Sequence, residues 1–348
     1  MSRSKYEADN PLIFPHAEAP APGEIRDITP NVGWLSMPIP TLPSHINLWI
    51  LRDNDGVTLV DTGMATAEAK SIWERLLTGP LKGQTVRRIL CTHHHPDHMG
   101  LAGWLVERTG APLYATAGEW QAGRAWGARS EEGMARHVTA AFSRANLPPE
   151  LVREYIDLNM KYSGLFAIPQ DSEPLDPNAP LEAAGTSWNI LVGRGHSPEL
   201  VALHSPELGV LISSDQILPG ILPSVGASIY KPSAEEDPLS QYLASVLPFR
   251  SLPEDTLVLP SHNLPFYGVR SRVDSIAGHH RARLDIARTA CADGATAAEV
   301  LAALFLRKLN SRQMILGLTE VLARLNHLVG IGQVVRDSRS EVDIYRCV

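Results

Sequence analysis

Four histidines and an aspartate fall within six consecutive positions: His93, His94, His95, Asp97 and His98. Imidazole and carboxylate are the side chains that bind zinc and other borderline divalent cations. Five of them packed this tightly point to more than one ion. His93 and His95 alternate, so in extended backbone they share a face, while His94 points the opposite way and is left out of the metal set. A purification tag would carry similar residues, but a tag lies at a terminus and this run interrupts apolar sequence.

The elements around the cluster explain how it can converge on one point. Residues 86–92 read as a buried strand, and residues 99–108 carry apolar positions at helical spacing. The cluster therefore occupies a strand-to-helix turn, with Asp97 and His98 at the N-terminus of the helix. Upstream, residues 33–40 and 46–52 read as strands around a Pro-rich loop, 38–45. The turn at 53–56 leads into a strand over 57–61 as a hairpin, and a helix is predicted over 66–77. After a short strand at 111–115, residues 119–167 break the pattern with helix rich in Ala, Glu and Arg, carrying Trp120, Trp126, Phe142, Tyr155, Tyr162 and Phe166. A long insertion behind a metal-binding core reads as a lid, most of whose aromatics pack it down.

Strand character returns over 187–192 and ends in Gly193-Arg194-Gly195-His196-Ser197-Pro198, which delivers His196 to a strand tip. Residues 200–204 and 210–214 pair as a hairpin, with His204 a mid-strand bystander and Asp215 at the far end. Residues 218–250 are loop-like apart from a short helix over 239–246. A last strand over 256–260 runs into Ser261-His262-Asn263. The C-terminal piece differs in kind: helices over 272–291, 296–304 and 312–329, the second opened by a Thr296–Glu299 capping box, then a small hairpin of 334–336 and 342–345. No internal repeat is present.

His93, His95, Asp97 and His98 form H-x-H-x-D-H, which resembles the signature of the metallo-β-lactamase superfamily. Asp61-Thr62-Gly63 resembles its D-T-G element, His196 its G-H-T/S-P element, and Asp215, after Ser213 and Ser214, its [G/S]-D position. Ser261-His262-Asn263-Leu264-Pro265 resembles G-H-G-x-P, with both glycines replaced. Asn263 tolerates left-handed backbone; Ser261 does not. The resemblance implies an αββα sandwich with two divalent ions at one edge of its sheets, zinc first, with iron or manganese allowed by nitrogen and oxygen donors. It places His93, His95 and His196 on one ion and Asp97, His98 and His262 on the other, with Asp215 bridging. Asp61 would orient a ligand histidine, and Asp97 would orient the attacking water and pass on its proton. Shared between two ions, that water drops from a pKa of about 15.7 to roughly 7, so a metal-bridged hydroxide is the expected nucleophile.

Zinc β-lactamases match this set only in part. Asp215 together with His98 looks instead like glyoxalase II, the lactonases and the phosphodiesterase members. The C-terminal piece resembles the winged-helix module of one branch, which occupies the place of glyoxalase II's glutathione-gripping basic cluster. The chain thus divides into a lead-in (1–30), a hydrolase domain (31–270) with its insertion or lid (119–167), and a winged-helix-like domain (271–348).

The 348 residues are 44% hydrophobic and 20% charged, the balance of a soluble globular protein. No run approaches the roughly 20 apolar residues of a membrane span, and no signal peptide is evident. Three cysteines, Cys91, Cys291 and Cys347, suit a reducing cytoplasm. Of the 31 Lys+Arg and 38 Asp+Glu, residues 271–348 hold 11 and 8, so that piece is +3 and the rest −10. Phosphate contacts dominate nucleic-acid affinity, so this distribution disfavours nucleic acid and gives the winged helix a structural or dimerising part. The expected reaction is hydrolysis of a small-molecule carboxylic ester, thioester or lactone. The alternatives are a phosphodiesterase or endoribonuclease, or a broad-specificity enzyme with weak β-lactamase activity. Purely structural metals would need closed four-coordinate sites. Loops 40–45 and 228–231, with Trp126 and Tyr162, are the candidate pocket residues.

Overall fold

A computed structural model describes residues 12–40, 43–166, 168–229 and 236–348, with Tyr162 and Ser163 described by backbone alone. Two sheets form its centre. The first holds seven strands in sequence order: β1 (Ile25–Thr29), β2 (Val32–Pro38), β3 (His45–Asp53), β4 (Gly56–Val60), β5 (Val86–Leu90), β6 (Leu113–Ala115) and β7 (Glu173–Pro174). The second holds β8 (Leu181–Ala183), β9 (Thr186–Gly193), β10 (Leu200–Ser205), β11 (Val210–Ser214) and β12 (Leu257–Pro260), in the order β12-β11-β10-β9-β8.

Strands β2 to β4 of the first sheet and β10 to β12 of the second bury both faces, as period-two geometry requires of a sheet in the middle of a layered fold. Along β3, Trp49 and Leu51 face the second sheet, where Val201, Leu203, Ile212 and Leu259 meet them. Ile46, Leu48 and Ile50 point the other way, toward helices α1 (Ala67–Thr78), α2 (Pro96–Met99) and α3 (Ala102–Thr109). Thr66 caps α1 by accepting from the Ala69 N–H, and the helix buries Ala69, Ile72, Trp73 and Leu76, an i, i+3, i+4, i+7 stripe. The expected αββα sandwich is therefore the fold, its fourth layer being built below by helices on the second sheet.

The insertion comprises α4 (Ala117–Gly127), α5 (Glu131–Arg144) and α6 (Glu150–Ser163). Its aromatics divide. Trp126 reaches the histidine cluster, whereas Phe142 and Tyr155 pack into a core shared with the C-terminal helices. Those helices are α8 (Val269–Ala290), α9 (Ala297–Leu304) and α10 (Ser311–Gly330), following α7 (Pro238–Val246), and they end in the hairpin β13 (Val334–Asp337) with β14 (Ile344–Cys347). Tyr242 and Val246 of α7 and Val273 and Ile276 of α8 cover the outer face of the second sheet. The Thr296–Glu299 capping box is present.

Three differences from the sequence reading have physical causes. The lead-in contributes β1, a half-buried edge strand whose apolar residues do not alternate. Strands β7 and β8, of two and three residues, are too short to leave a pattern. The last long helix runs one residue past its expected end, to Gly330, because the left-handed turn behind it comes only at Gly332. Among the described residues no helix is long and apolar enough to cross a membrane.

Candidate metal centre

Strands β4 and β5 are parallel, as are β11 and β12, and β9 runs with β11 because both are antiparallel to β10. Asp61 follows β4, His93 to His98 follow β5, His196 follows β9, Asp215 follows β11 and His262 follows β12. Each side chain singled out in the sequence thus sits just beyond a strand's C-terminal end. Local backbone bends deliver them. Asp61, Ser214 and Asn263 hold left-handed φ of 64°, 50° and 66°, and such strain gathers where a site over-determines it. Gly195, at φ 87°, precedes His196 where a Cβ would lie 2.1 Å from the Pro238 carbonyl, so only glycine fits.

The seven metal-binding candidates fall into two groups, in each of which the donor atoms lie within 4.8 Å of one another. One holds His93, His95, His196 and Asp215; the other holds Asp97, His98 and His262. Asp215 faces both. Its Oδ2 lies 3.3 Å from His196 Nε2 and 3.9 Å from His93 Nε2, and its Oδ1 lies 3.5 Å from His98 Nε2 and 3.6 Å from His262 Nε2. Asp97 Oδ2 is 3.3 Å from His262 Nε2.

The ring contacts test whether a cation fits. A carbonyl oxygen only accepts, so His196 Nδ1, 2.8 Å from Ser224 O, and His262 Nδ1, 3.1 Å from His45 O, carry the ring protons. In the neutral rings each Nε2 then turns its lone pair into the cluster. His98 Nδ1 meets Asp61 Oδ2 at 2.8 Å, and its buried Nε2 has no hydrogen-bond partner. His93 Nε2 lies 3.0 Å from His95 Nδ1 and 3.3 Å from His196 Nε2. Nitrogens converging in this way, those of His98, His196 and His262 oriented from behind by an oxygen, suit ligands of a divalent metal.

Electrostatics agree. Burial, with neighbouring imidazoles adding to it, holds His93 and His95 well below the ordinary histidine pKa, so they remain neutral donors. Burial would also lower His98 and His262, but the carboxylates of Asp61, Asp97 and Asp215 outweigh it at His98, and those of Asp215 and Asp97 at His262; both are raised. For Asp97 and Asp215 burial is likewise overcome, by His98 and His262, and both are lowered. One half of the site favours neutral imidazole and the other favours positive charge, whether carried by a proton or by a metal.

Several supporting residues carry no motif. Asn47 is fully buried in β3; its Oδ1 accepts from Trp34 Nε1, and its Nδ2 donates to Pro260 O at 2.8 Å and Asn263 O at 2.7 Å, pinning the His262 turn. An asparagine near the start of the apolar strand 46–52 was its signal in the sequence. Asp61 also accepts from the Thr92 N–H at 2.7 Å and from its hydroxyl. Asn263 adopts the expected left-handed turn, while Ser261 does not need it. Its hydroxyl donates to Asp215 Oδ1 instead. His94 stays out of the cluster, bonded to Glu119, and His204 sits apart on β10. Of the pocket candidates, Ser44 and His45 line a cavity of about 460 Å³ with Glu18, Arg26 and Ser36. Thr41, Leu42, Tyr230, Lys231 and the Tyr162 side chain lie outside the described residues.

This arrangement has known counterparts. Residues 41–262 match the family model of the metallo-beta-lactamase superfamily. The chain belongs to the metallo-β-lactamase superfamily. Residues 284–347 match a second family model, the metallo-beta-lactamase-like C-terminal domain. A beta-lactamase domain protein from Burkholderia ambifaria is 37% identical, covers 99% of both chains and superposes with a TM-score of 0.89. A metallo-beta-lactamase family protein from Thermus thermophilus is 30% identical over 92% of this chain and all of its own, with a TM-score of 0.77. The probable metallo-hydrolase YqjP of Bacillus subtilis is 23% identical over 75% of this chain and 80% of its own length. The protein is a metallo-hydrolase of the superfamily, and its His/Asp cluster has the donors to hold divalent metal.

Proposed function

We propose that this chain hydrolyses a carboxylic ester, thioester or lactone at a centre of two divalent ions, zinc first, with iron and manganese compatible with the donors. The observation that carries the reading is Asp215, which turns one carboxylate oxygen toward each histidine group. Divalent ions bound there supply an acidified water and positive charge beside the scissile carbonyl oxygen.

The chain's own residues orient the rest. Asp61 fixes the His98 ring from behind, and Asp97 is assigned to orient the attacking water and carry its proton toward the leaving group. The Trp126 ring, 6.2 Å from that of His95 and 5.8 Å from that of Phe166, offers an apolar wall for the acyl part of a substrate. Alkoxide and thiolate groups depart from a polarised carbonyl without a strong general acid in the protein. A body of formal charge −10 disfavours a polyanionic substrate. The C-terminal helices and hairpin are assigned a structural part.

A parallel panel on metal-loaded enzyme tests this: thioesters, lactones, simple esters, a β-lactam, a phosphodiester and single-stranded RNA, with Asp97→Ala as the control for contaminating activity. Turnover of a carboxylic ester, thioester or lactone that disappears in the variant is expected. Efficient phosphodiester or RNA cleavage, lost in the variant while the acyl substrates stay inert, overturns the proposal.

A further inference from the structure

Glu119 reads in sequence as an ordinary acidic residue in the first turn of a helix, a position normally solvated. In the fold it is completely buried. A carboxylate out of water persists only when donors surround it. Glu119 has four, split between its two oxygens. Oε2 accepts from the His94 backbone N–H at 3.0 Å and His94 Nδ1 at 2.6 Å. Oε1 accepts from the Ser197 hydroxyl and the Glu199 backbone N–H, both at 2.6 Å. Burial pushes this carboxyl up, but the donors, His94 first, outweigh it and hold it below the ordinary glutamate range.

The two pairs of donors belong to different segments. His94 stands between His93 and His95, and Ser197 directly follows His196. We propose that Glu119 is the positioning residue for the first metal group, one carboxylate bolting the segment that carries His93 and His95 to the segment that carries His196. The inference rests on the metal centre proposed above. Two further bonds tie the start of α4 to the same turn: Thr116 Oγ1 donates to Glu199 O at 3.0 Å, and Gly118 N–H donates to Glu199 Oε2 at 2.9 Å. The second group is anchored elsewhere, through Asp61 behind His98 and the His45 carbonyl behind His262. Loosening Glu119 therefore disturbs one half of the site. Because α4 also carries Trp126, the wall beside the site and the ligands it faces are braced by the same residue.

The test uses cobalt(II) alone as the probe, on full-length protein freed of metal. Glu119→Gln keeps the volume, but its amide NH₂ must confront a backbone N–H, that of His94 or that of Glu199. We expect the variant to fold and to lose about 10–100-fold in affinity for one cobalt ion of the pair, with a changed visible absorption spectrum, while the second ion binds as in the wild type. Val321→Ala, in the C-terminal core, controls for general destabilisation and should leave both affinities in place. Wild-type affinities and spectrum in Glu119→Gln overturn the proposal, as does an equal loss in Val321→Ala. Wild-type protein that binds no cobalt fails the metal centre itself, a separate result. Should Glu119→Gln not fold, Ser197→Ala removes one donor from the same carboxylate; a several-fold loss at one ion is then expected, and no loss overturns the proposal.

Discussion

His98 Nδ1 lies 2.8 Å from Asp61 Oδ2, and both groups are sealed from solvent. This contact fixes which nitrogen of His98 faces the metal cluster. Asp61→Asn keeps an oxygen for Thr92 but presents an NH₂ to a ring N–H, and asparagine accepts the left-handed backbone at this position. The variant should fold while metal retention or turnover falls about 10–100-fold. Chelator competition and kcat at saturating metal measure it; unchanged values for both would reduce Asp61 to a shaper of the turn.

Substitution of Asp215 tests the count of ions. If its two oxygens serve two sites, gently purified protein should hold close to two metals per chain, and Asp215→Ala should lower that number along with activity. Elemental analysis decides. A single tightly held ion indifferent to Asp215→Ala would remove the dinuclear assignment.

The positions of these candidate ligands were legible because each lies at a strand end marked by local chemistry: Gly193 and Gly195 before His196, the alternation of His93 and His95, the apolar run before Asp215. What the sequence hid were residues acting across long separations. Asn47 reaches Pro260 and Asn263, and Glu119 reaches Ser197 and Glu199. No local spacing encodes such contacts. The insertion was legible as helix, but its docking on the C-terminal helices was not, since the stripe of Met134, Val138 and Phe142 names no partner.

Asn263 offers a test of one departure from the family pattern. Its φ of 66° suits glycine or asparagine, and its Nδ2 donates to Pro219 O at 2.7 Å. Asn263→Gly should cost only about 1 kcal/mol, the worth of that bond. Asn263→Val should cost a further ~1–2 kcal/mol for a branched side chain in left-handed backbone, and should loosen His262. Urea unfolding compares them; equal stability of the two variants would count against a strained turn.

Acid sensitivity should come from α8. His280 is buried with both ring nitrogens unpartnered, facing Tyr242 on α7, His279 and Arg283 on its own helix and Arg324 on α10. Burial, then the charge of Arg324, lowers its pKa from 6.5 to about 3. Below pH 6.5 the unfolded chain takes up a proton that the folded chain refuses. Stability is thus complete above that value and falls as the pH drops toward 3, by up to about 1.4 kcal/mol per pH unit from this residue. His279, lowered to about 4, acts in the same direction. His280→Gln should flatten the decline between pH 6.5 and 5 in denaturant titrations. An unchanged slope would place the sensitivity elsewhere.

In sequence the C-terminal helices form a separable appendix, but in the fold they do not. Val273 and Ile276 of α8 lie against the second sheet with Tyr242, Val246 and Phe249. Leu318, Val321 and Leu325 of α10 share a core with Phe142, Leu151 and Tyr155 of the insertion. Cutting the chain after residue 268 would bare both faces. Each large apolar side chain so exposed forfeits roughly 1.5–3 kcal/mol, against a total stability of about 5–15 kcal/mol for a typical protein. Residues 1–268 should therefore aggregate or lack a cooperative transition, while the full chain unfolds in one step when tryptophan fluorescence and far-ultraviolet circular dichroism are followed together. A soluble 1–268 that unfolds cooperatively and retains metal would show the hydrolase core to be self-sufficient, and the shared cores to be incidental to its stability.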